Sequence, residues 1–66
     1  MTVVLNGEDA ELASGATVLD ALEALGLPRT GVAVAVDGSV VRRADWAATP
    51  LTDGARVEVL TAVQGG

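Results

Sequence analysis

The sequence predicts an α+β domain, in which a mixed sheet of four to five strands carries one main helix across one face. Three observations carry this prediction. Two tight-turn dipeptides, Asn6-Gly7 and Asp37-Gly38, each stand between β-prone runs. A single amphipathic stretch, bounded by stop and start residues, lies between those two turns. A final alternating run, Arg56 to Leu60, follows the turn Asp53-Gly54.

The first strand is Thr2 to Leu5. Asn-Gly accepts positive φ at both turn positions, which a two-residue hairpin turn requires, so the chain returns as a second strand over Glu8 to Ala13. There Ala10 and Leu12 alternate with Asp9 and Glu11, giving one apolar and one acidic face. Thr17 then has the character of a helix N-cap, with Asp20 three residues on in capping-box spacing. Val18, Leu22 and Leu25 recur at i, i+4 and i+7, with Leu19 widening the stripe and Asp20 and Glu23 opposite. The expected helix is Thr17 to Leu25, closed by Gly26 and kept from continuing by Pro28.

Val32 to Val36 reads Val-Ala-Val-Ala-Val, apolar on both faces, as in a strand from the interior of a sheet. Asp37-Gly38 turns it into Val40 and Val41. Arg42 to Pro50 lacks periodicity and is expected as a short helical turn and loop around Trp46, the one large side chain available to fill the core. Strands on both sides of one crossover helix close most simply by pairing the first and last strands in parallel at the sheet centre. That arrangement is the β-grasp, or ubiquitin-like, fold. The expected division is a β-grasp domain over 1–60 and a flexible C-terminal tail over 61–66, ending in Gly-Gly.

Composition narrows the function. The chain has 66 residues and contains no Cys, His, Lys or Tyr, so most general bases and covalent nucleophiles are missing. Ser14, Ser39 and the threonines have no imidazole or amine side chain to activate them. The expectation is a protein that is not an enzyme, has no catalytic residues, holds no metal and binds no cofactor of its own. Nine acids against four arginines give a net charge of −5. That argues against a nucleic-acid footprint and suits a soluble chain or one that docks on a basic partner. No apolar run approaches the ~20 residues of a membrane span, and no leader follows Met1, so the expected location is cytoplasmic.

The terminal Gly65-Gly66 is the one place that asks for a chemical reading. With eight glycines in the chain, random order would end in Gly-Gly about once in 75. One reading is a frayed terminus. The other is that the α-carboxylate of Gly66 is itself the reacting group, since two residues without side chains can thread a narrow enzyme channel. A carboxylate is a poor electrophile, so a partner would have to activate it, most simply as an acyl-adenylate made with ATP.

Over its whole length the chain resembles the ThiS family of sulfur carrier proteins of thiamine biosynthesis. The resemblance is carried by Asn6-Gly7, Thr17-Val18 with Leu22, the strand and turn from Ala33 to Asp37, and Val41 through Arg43 to Trp46. Asp53-Gly54, Val57, Val59 and Gly65-Gly66 complete it. Ala55 departs from it, standing where the family often has an acidic residue, a difference expected to touch a surface contact at most. The resemblance implies a carrier acted on by partner enzymes. A ubiquitin-activating-enzyme-like adenylyltransferase, using ATP, joins AMP to Gly66. Sulfur from cysteine, through a cysteine desulfurase or another donor, then leaves a thiocarboxylate (1-thioglycine). Thiazole synthase takes up that sulfur. Gly65 gives clearance, and Val63 and Gln64 position the tail.

Two alternatives stay open at this point. One is the small subunit of molybdopterin synthase or another ubiquitin-like sulfur carrier, although those subunits are usually longer and richer in Phe. The other is a ubiquitin-like binding module whose tail is never activated. Arg42 and Arg43 could hold an anion or form a solvated loop. The apolar sheet surface near Leu60 is the candidate docking patch.

Overall fold

The computed structural model describes residues 1–61. Its elements are β1 (Thr2–Leu5), β2 (Glu8–Glu11), α1 (Val18–Ala24), β3 (Val32–Val36), β4 (Ser39–Val41), a 3-10 helix η1 (Arg43–Ala48) and β5 (Arg56–Thr61). The five strands form one sheet in the order β2-β1-β5-β3-β4. β1 and β5 pair in parallel, and all other neighbours are antiparallel. This is the mixed sheet expected from the sequence, with the last strand at its centre. The expected tail, from Ala62 onward, lies outside the described residues; Thr61 still pairs with Val32 in the ladder.

Local chemistry accounts for both hairpins. Asn6 and Gly7 have φ of 48° and 84°, and Asp37 and Gly38 have 50° and 87°, the doubly positive pattern of a two-residue turn that matches strand twist. The same turn residues then reach across the sheet. Asn6 Oδ1 accepts from the Val59 N–H at 2.8 Å while Asn6 Nδ2 donates to the Val59 carbonyl at 3.2 Å. Asp37 Oδ1 accepts from the Arg56 N–H at 2.9 Å, and the Asp37 N–H donates to the Arg56 carbonyl at 2.8 Å. Each turn thus grips a different part of β5. The Asn6 clamp can be tested directly: Asn6→Gly keeps the positive φ accessible but removes the amide. With both Val59 backbone groups stripped of their partner, a loss of about 1–3 kcal/mol is expected in denaturant melts. An unchanged melt would show that water replaces the amide at no cost.

Helix α1 opens with the expected capping box. The Asp20 N–H donates to Thr17 Oγ1 at 3.2 Å and the Thr17 N–H donates to Asp20 Oδ2 at 2.9 Å. It closes through a Schellman motif. Gly26, at φ 70°, donates to the Glu23 carbonyl at 3.2 Å, and Leu27 donates to the Leu22 carbonyl at 2.8 Å. That closure corrects one expectation. Leu25 is the C-cap residue and is 37% exposed, whereas Ala21 joins Val18 and Leu22 in the buried stripe. The chain reverses at Gly26 and packs Leu27 against the core instead, the apolar contact that usually accompanies this motif.

The core lies between α1 and one face of the sheet. It contains Val3, Val18, Leu22, Val34 and Val57, all nearly inaccessible, with Trp46, Leu51 and Ala55 around them. Trp46 fills its place as expected, and its indole N–H donates to the Val41 carbonyl at 2.8 Å. Ala55 overturns a second expectation: it is buried, and its carbonyl accepts from the Val4 N–H at 2.8 Å. An acidic side chain at this position would be carried into the core margin rather than onto a surface. The Asp53-Gly54 turn also does more than reverse the chain. Asp53 Oδ1 accepts from the Thr2 N–H at 2.8 Å and the Gly54 N–H donates to the Thr2 carbonyl at 2.7 Å, fixing the start of β1 beside the start of β5.

Candidate functional site

β5 ends at Thr61, five positions before Gly66 in the sequence, so the surface around that point is the first place to look for function. Along β5, Val57 and Val59 are buried while Arg56, Glu58 and Leu60 face outward, the period-2 alternation of a strand covered on one side. Register assigns the outward neighbours. Ala33 lies opposite Leu60, Ala35 opposite Glu58, and Val40 opposite Ala35. Leu60 and Val40 are 68% and 76% exposed. The uncovered face is therefore apolar where β5 runs out toward the tail and charged where β5 begins.

Leu60 marks the surface expected from the sequence, and Val40, in the row of Ala35 and Glu58, adds a second exposed apolar side chain to the same face. The signal for Val40 was present in the turn. A two-residue loop at Asp37-Gly38 fixes Val36 opposite Ser39, which puts Val40 on the same face as the two β3 alanines.

The arginines fall into two settings. Arg56 lines a shallow hollow with Asp37, Gly38, Gly54 and Glu58, at the start of β5. Arg29 and Arg43 line a groove at the other end of the strand, with Gly31, Val32, Ala33, Leu60 and Thr61. Arg29 pairs with Glu23. Arg42 caps η1 by its backbone only, and both it and Arg43 are exposed. Among the described residues, neither forms an ion pair. Sequence reasoning singled out Arg42 and Arg43 together but missed Arg29, which comes from the loop after α1.

The expected reacting residue Gly66 and the tail residues Gly65, Gln64 and Val63 lie outside the described residues. Among the described residues no group of three carboxylates gathers as a metal site, and no helix is long and apolar enough to cross a membrane.

Fold and surface together define a ubiquitin-like β-grasp domain with exposed apolar side chains on the outer face of its sheet, in a chain whose sequence ends in Gly-Gly. The model of the ThiS family matches residues 3–66, through the terminal glycine. The chain belongs to the ThiS family. It is 30% identical over 66 residues to the sulfur carrier protein ThiS of Escherichia coli (strain K12), with all of both chains covered. It is also similar to the thiamine biosynthesis protein ThiS of Geobacter metallireducens. The crystal structure of that protein superposes with a TM-score of 0.85 at 32% identity, covering all of both chains. Its solution NMR structure gives 0.80 at 32% identity, covering all of this chain and 88% of the other.

Proposed function

We propose that this chain is a sulfur carrier of thiamine biosynthesis, and that the carboxylate of Gly66 is the group that carries the sulfur. The observation that supports this most is the end-to-end match to a sulfur carrier protein, within a family match that runs through Gly66. The chain itself is a protein cosubstrate. In the first step a carboxylate oxygen of Gly66 attacks the α-phosphorus of ATP on an adenylyltransferase, and pyrophosphate leaves. In the second, AMP leaves as sulfur derived from cysteine attacks the acyl carbon. Hydrosulfide gives the thiocarboxylate directly, whereas a persulfide gives an acyl disulfide from which a second thiol, forming a disulfide with the donor sulfur, releases the thiocarboxylate. Thiazole synthase then accepts the sulfur.

The residues present suit that role. Gly65 admits backbone conformations closed to other residues and adds no width to the tail, while Gln64 and Val63 are the positions that orient it. The absence of Lys means that no side-chain amine of the carrier competes for its own activated carboxyl. The Leu60 surface, with Val40 on the same face, is suited to docking, because large apolar groups left uncovered on one sheet face gain from burial against a partner.

The experiment is pyrophosphate exchange. With its adenylyltransferase, ATP and magnesium, the chain should drive exchange of pyrophosphate into ATP, because acyl-adenylate formation is reversible. A sulfur donor should then shift the intact mass by the difference between sulfur and oxygen. Gly65→Val should slow exchange by crowding the channel. A carrier that stays unmodified beside an active partner enzyme would overturn the proposal, and sulfur delivery only to a molybdopterin synthase would reassign it.

A further inference from the structure

We infer that Arg43, with Arg29 beside it, is an electrostatic anchor for a carboxylate-bearing protein surface on the adenylating partner, separate from the chemistry at Gly66. This inference rests on the sulfur-carrier reading. It starts from how charge is distributed along β5. The chain carries nine acids and four arginines, so its surface should repel acidic partners overall. The hollow at the start of β5 follows that trend, with Asp37 and Glu58 against Arg56. The groove at the end of β5 reverses it: among the described residues, its only charged lining residues are Arg29 and Arg43. The same two arginines also border a second hollow, with Leu19, Thr30 and Trp46. They therefore form a basic ridge between two concave surfaces, beside the last residues of the strand that leads into the tail.

Within this ridge Arg29 already holds a carboxylate, that of Glu23. Arg43 occupies an equivalent position in the groove, yet among the described residues it has no ion-pair partner. A planar guanidinium fork in that setting favours a carboxylate or phosphate from outside. Reach decides between a protein and the nucleotide. Gly66 is five positions on from Thr61, a reach of at most about 18 Å. A tail threaded into an active site thus leaves the groove at the mouth of the channel, against the protein surface and not against ATP. Leu60 and Ala33 in the same groove supply an apolar floor, so the anchor adjoins the apolar docking face and sets its orientation.

The test is the affinity of the full-length chain for the adenylating enzyme, measured by titration calorimetry at low and high salt, with exchange measured in parallel. Arg43→Glu should raise Kd by ~10-fold or more and flatten its salt dependence, as expected for loss of a charge at an interface rim. It should raise KM for the carrier while leaving kcat for exchange unchanged. Arg42→Glu is the control: it changes net charge equally and is exposed, but Arg42 lines neither hollow. Its effect should be small. Equal weakening by both substitutions, or no weakening by Arg43→Glu, would overturn the anchor. Binding of the unsubstituted chain without any exchange would sink the carrier reading alone, with the anchor still decided by the two affinities. Absence of any binding would overturn both.

Discussion

Deleting Gly66 should leave the domain folded and abolish its function. The core and the strand pairings described above are made by residues 1–61, and chain termini in general contribute few contacts to a fold. Thermal unfolding of the truncated chain should match the full chain within a degree or two, on the order of a change too small to matter for a domain of this size. Complementation of a thiamine auxotroph should fail completely, because the shortened chain ends in a carboxylate one residue short of the adenylating centre. Normal growth with the truncated carrier would show that the carboxylate of Gly66 is not the reacting group. The two readouts together separate loss of chemistry from loss of fold.

The second large effect is expected in the core. Leu22 is the largest side chain that is almost fully inaccessible, and it sits between the Schellman closure of α1 and the inner face of the sheet. Leu22→Ala should cost about 2–5 kcal/mol, the sum of lost transfer energy and an incompletely collapsed cavity. Small domains bury a lesser share of their surface than large ones, so the lower end of the usual ~5–15 kcal/mol stability range applies. The variant should therefore be partly unfolded at moderate temperature. Leu25→Ala provides the contrast: at a half-solvated C-cap position it should cost well under half as much. Equal losses at the two sites, read from denaturant midpoints at constant slope, would contradict the placement of the helix face.

The contrast between Leu22 and Leu25 also shows where sequence reasoning stops. Periodicity finds a helix because burial recurs every three to four residues, but it extends the stripe for as long as apolar residues keep the spacing. Leu25 keeps it and is still not buried, because Gly26 turns the chain before that position reaches the sheet. The hairpins were legible for a different reason: Asn6-Gly7 and Asp37-Gly38 act through their own φ angles, which need no distant partner. The use of the Asn6 amide was not legible. Its partner Val59 is 53 residues away, and nothing local in an Asn-Gly dipeptide tells a turn from a turn that also clamps another strand. Ala55 failed for the same reason, since its burial depends on where β5 enters the sheet. At the candidate site, the terminal glycines and the Leu60 surface were readable. Arg29 joins Arg43 only after the loop following α1 is placed in space.

On the proposed function, the position of β5 bears on how a partner enzyme would tell a folded carrier from an unfolded one. Among the described residues, β5 is the strand that joins the β1–β2 hairpin to the β3–β4 hairpin within the sheet. Each hairpin can form from neighbours in sequence, but the two become one surface only when the final strand slots between them, after a long loop has been closed. Leu60, Ala33 and Val40 share a face only in that state. An enzyme that must grip this face before it meets the tail is therefore also inspecting the fold. On the proposed function, a complete but misfolded chain would carry the same Gly-Gly end without the grip beside it, and the adenylating enzyme would not consume ATP on it.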